Sequence, residues 1–223
     1  MVLLMRNNEK ETQQAHWEAA FTRYMNMFGE EPSEPAKCAV KLFRQNGVGR
    51  ILELGGGQGR DSLYFAQHGF QVSVVEYTEA GVDAIKRKAA LLGLAHLVTP
   101  VKHDVRSPLP FEPKSFDACF SHMLYCMDLT TQELQCLAAE VRRVLKGNGI
   151  NFYTVRNTAD KHYGAGLAKG EDRYEVDGFA VHFFTRDKIV LLAEGYVVDE
   201  ISEFEEGELP RRLFQVISRK IGD

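Results

Sequence analysis

Apolar runs that are typical of strands alternate with amphipathic helical segments along most of the chain, and this alternation limits the possible folds. The runs are short and rich in Val, Ile, Leu and Phe, whereas the segments between them repeat apolar residues every three or four positions. The predicted strands cover 51–54, 71–76, 97–104, 115–122 and 149–156, and the predicted helices among them cover 59–68, 79–92 and 131–145. Alternation of this kind predicts an α/β fold with a doubly wound, mostly parallel sheet.

The two ends of the chain depart from this alternation. Near the N-terminus one apolar face predicts a helix over 12–28, and Ser33 with Pro35 predicts the start of a second helix. After a polar, Gly-rich stretch at 157–184, the sequence predicts a helix and two strands at 186–194, 196–204 and 212–220. The link between these strands is too short for a helical crossover, so they must pair antiparallel or splay apart. We expect a seven-stranded sheet that ends in an antiparallel hairpin.

Charge and composition argue against several classes of protein. The net charge of −4 and the sequence pI of about 6.0 give no electrostatic footprint for nucleic acid. No apolar stretch approaches the length of a membrane span, and the N-terminal apolar run is too short for a signal peptide. The four cysteines lie far apart, which predicts reduced thiols in a cytoplasmic protein. Histidines and acids show no metal-ligand spacing, so we expect no metal.

A cluster of glycines, the glycine loop (residues 55–59), follows the first predicted strand. Missing side chains let a ligand approach the backbone, and the start of the next helix suits a carboxylate or a phosphate. A bare turn would also use glycines. A dinucleotide fingerprint needs a third glycine where this chain has Arg60 or Ser62, and no P-loop Lys-Ser or Lys-Thr pair follows. The pattern is instead Glu53 followed by alternating glycines.

The motifs along the chain resemble those of class I S-adenosylmethionine-dependent methyltransferases. ELGGGQG is similar to their motif I, VVEYT to the end of their second strand, and KHDV to the turn after their third strand. SFDACFSHML and EVRRVLKGNGINFYTV are similar to the fourth strand with its substrate-side loop and to the helix and strand that follow. The likeness covers about residues 37–156. GQGRDSLYFAQHGFQV further resembles a tellurite-resistance-like branch of small-molecule methyltransferases.

This resemblance implies a Rossmann-like fold, S-adenosylmethionine as the cofactor, and a set of cofactor-binding residues. Glu76 would accept hydrogen bonds from the ribose hydroxyls, and Asp104 and Val105 would contact adenine. Arg60 could pair with the methionine carboxylate, and Tyr77 either stacks on adenine or shields the sheet edge. The predicted set comprises Glu53, Gly55, Gly57, Gly59, Arg60, Glu76, Tyr77, Asp104, Val105 and Ser121.

The acceptor pocket is expected between residues 123–125, the stretch 157–184 and the N-terminal helices. No residue is clearly a general base; His122 and Tyr125 are weak candidates, and His122 is also explained as a hydrogen-bonded residue at the sheet edge. The candidate substrate contacts are Met123, Tyr125, His162, His182 and Arg211. Each of these is also explained as a surface or packing residue. The Asn/Asp-Pro-Pro-Tyr/Phe motif of amine-modifying branches is absent at 121–125, which disfavours nucleic-acid or glutamine nitrogen as the acceptor.

We therefore predict a methyltransferase that acts on a small molecule by in-line transfer, as a monomer or homodimer, without a nucleic-acid or membrane partner. A helical cap over 1–36 would precede the cofactor-binding domain at 37–223, with 157–184 as a substrate-side insertion. Trp17 and Tyr24 either form part of a lid over the acceptor pocket or serve only in the packing of an amphipathic helix. An NAD-type oxidoreductase and a non-catalytic scaffold are the alternatives, and metalloid chemistry at Cys126 is a minor one.

Overall fold

The computed structural model describes residues 2–176, 178–207 and 211–222, with side chains from residue 13 onward. The helices are α1 (Val2–Arg23), α2 (Glu34–Gln45), α3 (Arg60–Gln67), α4 (Glu79–Leu91), α5 (Thr131–Val144) and α6 (Arg186–Leu192). The strands are β1 (Arg50–Leu54), β2 (Gln71–Glu76), β3 (Val98–Lys102), β4 (Phe116–His122), β5 (Leu145–Arg156), β6 (Leu167–Gly170), β7 (Arg173–Val176), β8 (Phe179–His182), β9 (Tyr196–Glu206) and β10 (Arg211–Lys220).

Seven strands form one sheet in the order β3-β2-β1-β4-β5-β10-β9. The pairs from β3 to β5 are parallel, and β10 is antiparallel to both β5 and β9. The carboxyl ends of the parallel strands therefore meet at one edge of the sheet, the carboxyl edge. This topology confirms the predicted doubly wound sheet and its C-terminal antiparallel hairpin.

Helices cover both faces of the sheet, as the alternation of side chains along β1 requires. Ile51 faces a core built with α2, α3 and α4, which includes Phe65 and Phe120. Leu52 and Leu54 face the opposite core, built with α5 and α6. Each central strand is thus buried on both faces, which explains its nearly continuous apolar sequence.

Local signals explain several boundaries of these elements. Ser33 caps α2 as predicted, because its Oγ accepts a hydrogen bond of 3.1 Å from the Ala36 amide. Pro100 lies in β3, the outer strand of the sheet, which is where a strand tolerates proline. Helix α1 ends at Arg23, so the residues after it, predicted as helical to 28, form a turn instead.

The stretch 157–184 contains a three-stranded antiparallel sheet, β6-β7-β8, that the sequence analysis did not predict. Its strands have only four residues each, and Leu167 and Val176 are exposed, so the stretch lacks the alternation that identifies a half-buried strand. Among the helices of the described part of the chain, none has the length and apolarity needed to cross a membrane.

Candidate active site

The glycine loop connects β1 to α3 at the carboxyl edge of the sheet, and its shape requires glycine. Gly55, Gly57 and Gly59 have φ angles of 72°, 54° and 87°, in the left-handed region that other residues seldom adopt. A Cβ on Gly56 would lie 2.2 Å from Val74 Cγ1, so this position needs glycine for packing alone. The loop therefore serves as a tight turn, and its role as a ligand site depends on what surrounds it.

Glu76 brings a carboxylate from the end of β2 to the glycine loop, as the sequence predicted. Its Oε2 accepts a hydrogen bond of 2.9 Å from the Gly57 amide. Its Oε1 accepts from the Thr78 amide at 2.9 Å and from the Thr78 hydroxyl at 2.8 Å. Burial raises the pKa of Glu76, and these hydrogen bonds oppose that rise. The Glu76 carboxylate and the backbone of the glycine loop therefore lie in contact at the carboxyl edge.

Glu53 lies beneath the glycine loop with its side chain turned away from solvent. Its carboxyl group hydrogen-bonds the Ser62 hydroxyl in the first turn of α3. Burial and the nearby charge of Asp61 raise the pKa of Glu53 to about 8, although the Ser62 bond lowers it. A carboxyl group with such a pKa is mostly neutral at pH 7.

Asp61 and Arg60, at the start of α3, form hydrogen bonds with residues 28 and 33, which precede α2. The Asp61 carboxylate accepts from the Ser33 amide at 2.8 Å and from the Ser33 hydroxyl at 2.7 Å. The Arg60 guanidinium donates to Asp61 at 3.2 Å and to the Phe28 carbonyl at 3.2 Å. Arg60 thus stands at the helix N-terminus, where an anion would bind, but is engaged in protein contacts.

Residues 13–28, which we call the N-terminal cover, lie over the glycine loop. A Cβ built on Gly57 would find Phe21 Cζ at 3.5 Å and Phe28 Cε2 at 3.9 Å. The ring of Trp17 packs on both of these rings and lies 5.2 Å from the ring of Phe179 on β8. The N-terminal cover therefore contacts both the glycine loop and the three-stranded sheet β6-β7-β8 (the small sheet).

Polar contacts hold the N-terminal cover in place. The Gln58 side chain donates to the Tyr24 carbonyl at 2.6 Å and accepts from the Met27 amide at 2.9 Å. Glu18 accepts hydrogen bonds of 2.8 Å from the amides of residues 79 and 80, at the start of α4. Neither Gln58 nor Glu18 was predicted as a site residue, because these contacts join parts of the chain that are distant in sequence.

Tyr77, Asp104 and Val105 follow β2 and β3 and border the loop on the side predicted for adenine. The Tyr77 carbonyl accepts a hydrogen bond of 2.8 Å from Gln14, and burial raises the pKa of its phenol. Burial would raise the pKa of Asp104 as well, but bonds from Arg106 lower it. Arg106 is a charged neighbour of this region that the motif comparison did not include.

His122, at the end of β4, is held between two strands. Its Nδ1 lies 2.8 Å from Thr154 Oγ1 on β5. Its Nε2 lies 3.3 Å from Glu206 Oε2, at the end of β9. The sequence analysis selected Arg211 from this hairpin but not Glu206, because the pairing that brings Glu206 to β4 joins strands that are distant in sequence.

Three predicted ligand contacts, Tyr125 and His182 for the substrate and Ser121 for the cofactor, are buried or already bonded. Tyr125 is 1% exposed and stacks on Tyr153 at 4.7 Å, so the structure places it in the core and not at an open pocket. Ser121 is fully buried, and its hydroxyl has no hydrogen-bond partner among the described residues. His182 Nδ1 contacts the Leu129 carbonyl at 2.7 Å and its Nε2 contacts Lys188 Nζ at 2.6 Å, which leaves no free ring nitrogen.

The remaining candidates lie at the carboxyl edge. Met123 follows β4 with a φ of 61°, and His162 is exposed beside Arg156, at 2.6 Å from Nδ1 to Nη2. Arg211 stands opposite Glu206 in the hairpin. These positions are compatible with contact to a ligand at this edge.

The two buried cysteine thiols, Cys119 and Cys126, offer no activated nucleophile. Burial raises the pKa of Cys126 to about 11 and raises that of Cys119 as well. Both thiols therefore stay protonated at neutral pH, which argues against metalloid chemistry at Cys126. In the part of the chain that the structure describes, no group of three His, Cys, Asp or Glu side chains is arranged to hold a metal.

Comparisons with known proteins agree with this architecture. A family model for a methyltransferase domain matches residues 51–149, from β1 into β5. A search of curated proteins found no match. The chain is 22% identical to an S-adenosylmethionine-dependent methyltransferase from Methanosarcina mazei, with a TM-score of 0.67 over 78% of this chain and 93% of that one.

Two further solved structures show how widely this fold is used. The 1,6-didemethyltoxoflavin-N1-methyltransferase of Burkholderia thailandensis, with 1,6-didemethyltoxoflavin and S-adenosylhomocysteine bound, is 14% identical, with a TM-score of 0.75 over 96% of this chain and 90% of that one. The [4+2]-cyclase SpnF is 16% identical, with a TM-score of 0.64 over 83% of this chain and 81% of that one. At these identities the solved structures establish the fold.

Residues 51–149 thus match a methyltransferase domain, and the fold is shared with S-adenosylmethionine-dependent methyltransferases of known structure. These findings confirm the predicted fold and agree with a methyltransferase that uses S-adenosylmethionine.

Proposed function

We propose that the protein transfers the methyl group of S-adenosylmethionine to a small-molecule acceptor. The observation that carries this proposal is the meeting of Glu76 with the glycine loop, 2.9 Å from the Gly57 amide. A carboxylate at this position suits the ribose hydroxyls of a nucleoside that lies along the loop. The family match over 51–149 supports the same conclusion.

In this proposal each predicted residue has a defined part. Glu76 binds the ribose, the start of α3 with Arg60 faces the methionine carboxylate, and Glu53 lies below it. The glycines Gly55, Gly57 and Gly59 give the loop its left-handed turns beside the cofactor, and Tyr77, Asp104 and Val105 border the adenine. The cofactor supplies an activated methyl group, and the protein aligns the acceptor with it and excludes water.

A small acceptor is favoured by the enclosure of the carboxyl edge. The N-terminal cover contacts the small sheet through Trp17 and Phe179, and this contact supports a cap over 1–36 and a substrate-side insertion at 157–184. A macromolecule would need an open surface here. The tellurite-resistance-like branch is a finer hypothesis that depends on residues 57–72 alone, and we keep a cytoplasmic monomer or homodimer as the expected form.

Calorimetric titration with S-adenosylmethionine, S-adenosylhomocysteine and NAD tests this proposal. We expect the two sulfur compounds to bind and NAD not to bind. Glu76→Gln should weaken both sulfur ligands at least tenfold, because an amide offers one oxygen where a carboxylate offers two. Glu79→Gln is the matched control: Glu79 is exposed and paired with Lys102, so its change should leave affinity unaltered. Binding of NAD alone, or of none of the three, would overturn the proposal.

A further inference from the structure

The C-terminal hairpin carries a carboxylate across the carboxyl edge to the end of β4. Strand β10 begins at Arg211, which pairs with Glu206 of β9. Its pairing with β5 begins only two residues later, at Leu213 opposite Arg156. The hairpin thus projects beyond β5. This projection brings Glu206 Oε2 to 3.3 Å from His122 Nε2.

The ring of His122 has a fixed orientation. Thr154 Oγ1 contacts Nδ1 at 2.8 Å and also accepts a hydrogen bond of 3.1 Å from the Met123 amide. The side chain of His122 is 8% exposed. The Nε2 atom is buried and lies 3.3 Å from Glu206 Oε2. One proton can therefore be shared between Nε2 and the carboxylate.

Charged groups around the hairpin favour a carboxylate in its ionised form. Burial alone would raise the pKa of Glu206, but His122, Arg60 from α3 and Arg211 from β10 together lower it. Glu206 is one-quarter exposed, so it borders the space above the sheet and is not sealed in the core. An ionised carboxylate beside an imidazole forms a pair that can take up one proton.

We propose that His122 and Glu206 form the proton acceptor of the methyl-transfer reaction, with Glu206, which borders the space above the sheet, as the catalytic base and the buried His122 as its positioning residue. This inference rests on the proposed function. A nitrogen or oxygen of the acceptor forms the new bond to the methyl carbon, and the carbon–sulfur bond breaks with its electron pair going to sulfur. The proton of the acceptor N–H or O–H passes to the Glu206 carboxylate, where His122 Nε2 can share it. The acceptor class is therefore an N–H or O–H nucleophile that needs a base, and not a thiol.

Titration of the Glu206 carboxyl carbon by NMR tests whether the pair shares a proton, with Glu206→Gln used to identify the signal. His122→Gln removes the basic ring and should raise the pKa of Glu206, with a change of about tenfold in its acid dissociation constant. His162→Gln is the matched control, because His162 lies at the same edge beside Asp160, at 3.3 Å. An unchanged Glu206 titration in His122→Gln would overturn the proposal.

A second comparison separates a catalytic position from a structural one. S-adenosylmethionine carries one positive charge more than S-adenosylhomocysteine, and that charge is beside the methyl group. If Glu206 and His122 face the methyl group, the acid dissociation constant of Glu206 should be about threefold or more higher with the first ligand than with the second. Equal values in the two complexes would overturn the proposal. If neither ligand binds, the proposed function fails, and the titration of the free protein still decides whether the pair exists.

Discussion

At the scale of single residues, Glu53 shows how the fold changes the chemistry of one side chain. Burial and Asp61 raise its pKa to about 8, against about 4.3 for a free glutamate. Between these values the folded protein binds a proton that the unfolded chain has lost. The stabilisation from this group is therefore fully present below about pH 4.3 and is lost as the pH rises towards 8.

This proton linkage predicts a pH-dependent difference between the wild type and Glu53→Gln. The amide stays neutral at all pH values and can still hydrogen-bond Ser62. We expect the free energy of unfolding of the wild type, relative to the variant, to fall by about 1.4 kcal/mol per pH unit between pH 5 and 8. Urea unfolding at four pH values measures this slope. Parallel pH profiles for the two proteins would contradict it, and Glu200→Gln, an exposed change on β9, is the matched control.

At the scale of elements, α1 links the glycine loop to the three-stranded sheet β6-β7-β8. Gln58 bonds the turn that follows α1, and Trp17 on α1 packs on Phe179. Phe21 lies 3.5 Å from the Cβ position of Gly57, so the N-terminal cover occupies the space directly above the glycine loop. We expect the cover to open for the cofactor and to close on it.

Trp17 is the single tryptophan of the chain, so its fluorescence reports the N-terminal cover without a label. We expect S-adenosylhomocysteine to change the intensity and wavelength of its emission. Gln58→Ala removes the polar contacts of the cover, which should shift the emission of the free protein to longer wavelength because the ring becomes more hydrated. Gln67→Ala, an exposed change at the end of α3, should not. An emission spectrum that neither the ligand nor Gln58→Ala alters would contradict this role.

The elements also show which features of the fold and the site can be predicted from the sequence. The glycine loop, the Ser33 cap and Glu76 were predictable because local patterns determine a turn, a cap and the end of a strand. Contacts between distant segments were not predictable. Glu206 reaches His122 only because the paired strands β9 and β10 extend beyond the end of β5. The place of Tyr125 after β4 predicted a residue near the acceptor pocket, whereas its ring stacks on Tyr153 in the core.

At the scale of the whole molecule, the candidate cofactor site exists only when distant parts of the chain are assembled. The glycine loop follows β1, Glu76 ends β2, and the N-terminal cover packs over both. The unfolded chain has no such site, so a ligand that binds here stabilises the entire fold by mass action. The fold and its ligand should therefore be linked in a single thermal transition.

The size of this linkage can be predicted for a chain of 223 residues. A ligand at 100 times its Kd adds about 2.7 kcal/mol to the free energy of unfolding. For a protein of this length that corresponds to a rise in Tm of about 5–10 °C. We expect S-adenosylhomocysteine to produce this rise in calorimetric melting, while NAD at the same concentration produces none. A rise with both compounds would indicate a nonspecific nucleoside site, and a melt that separates into two transitions would show that the N-terminal cover unfolds independently of the sheet.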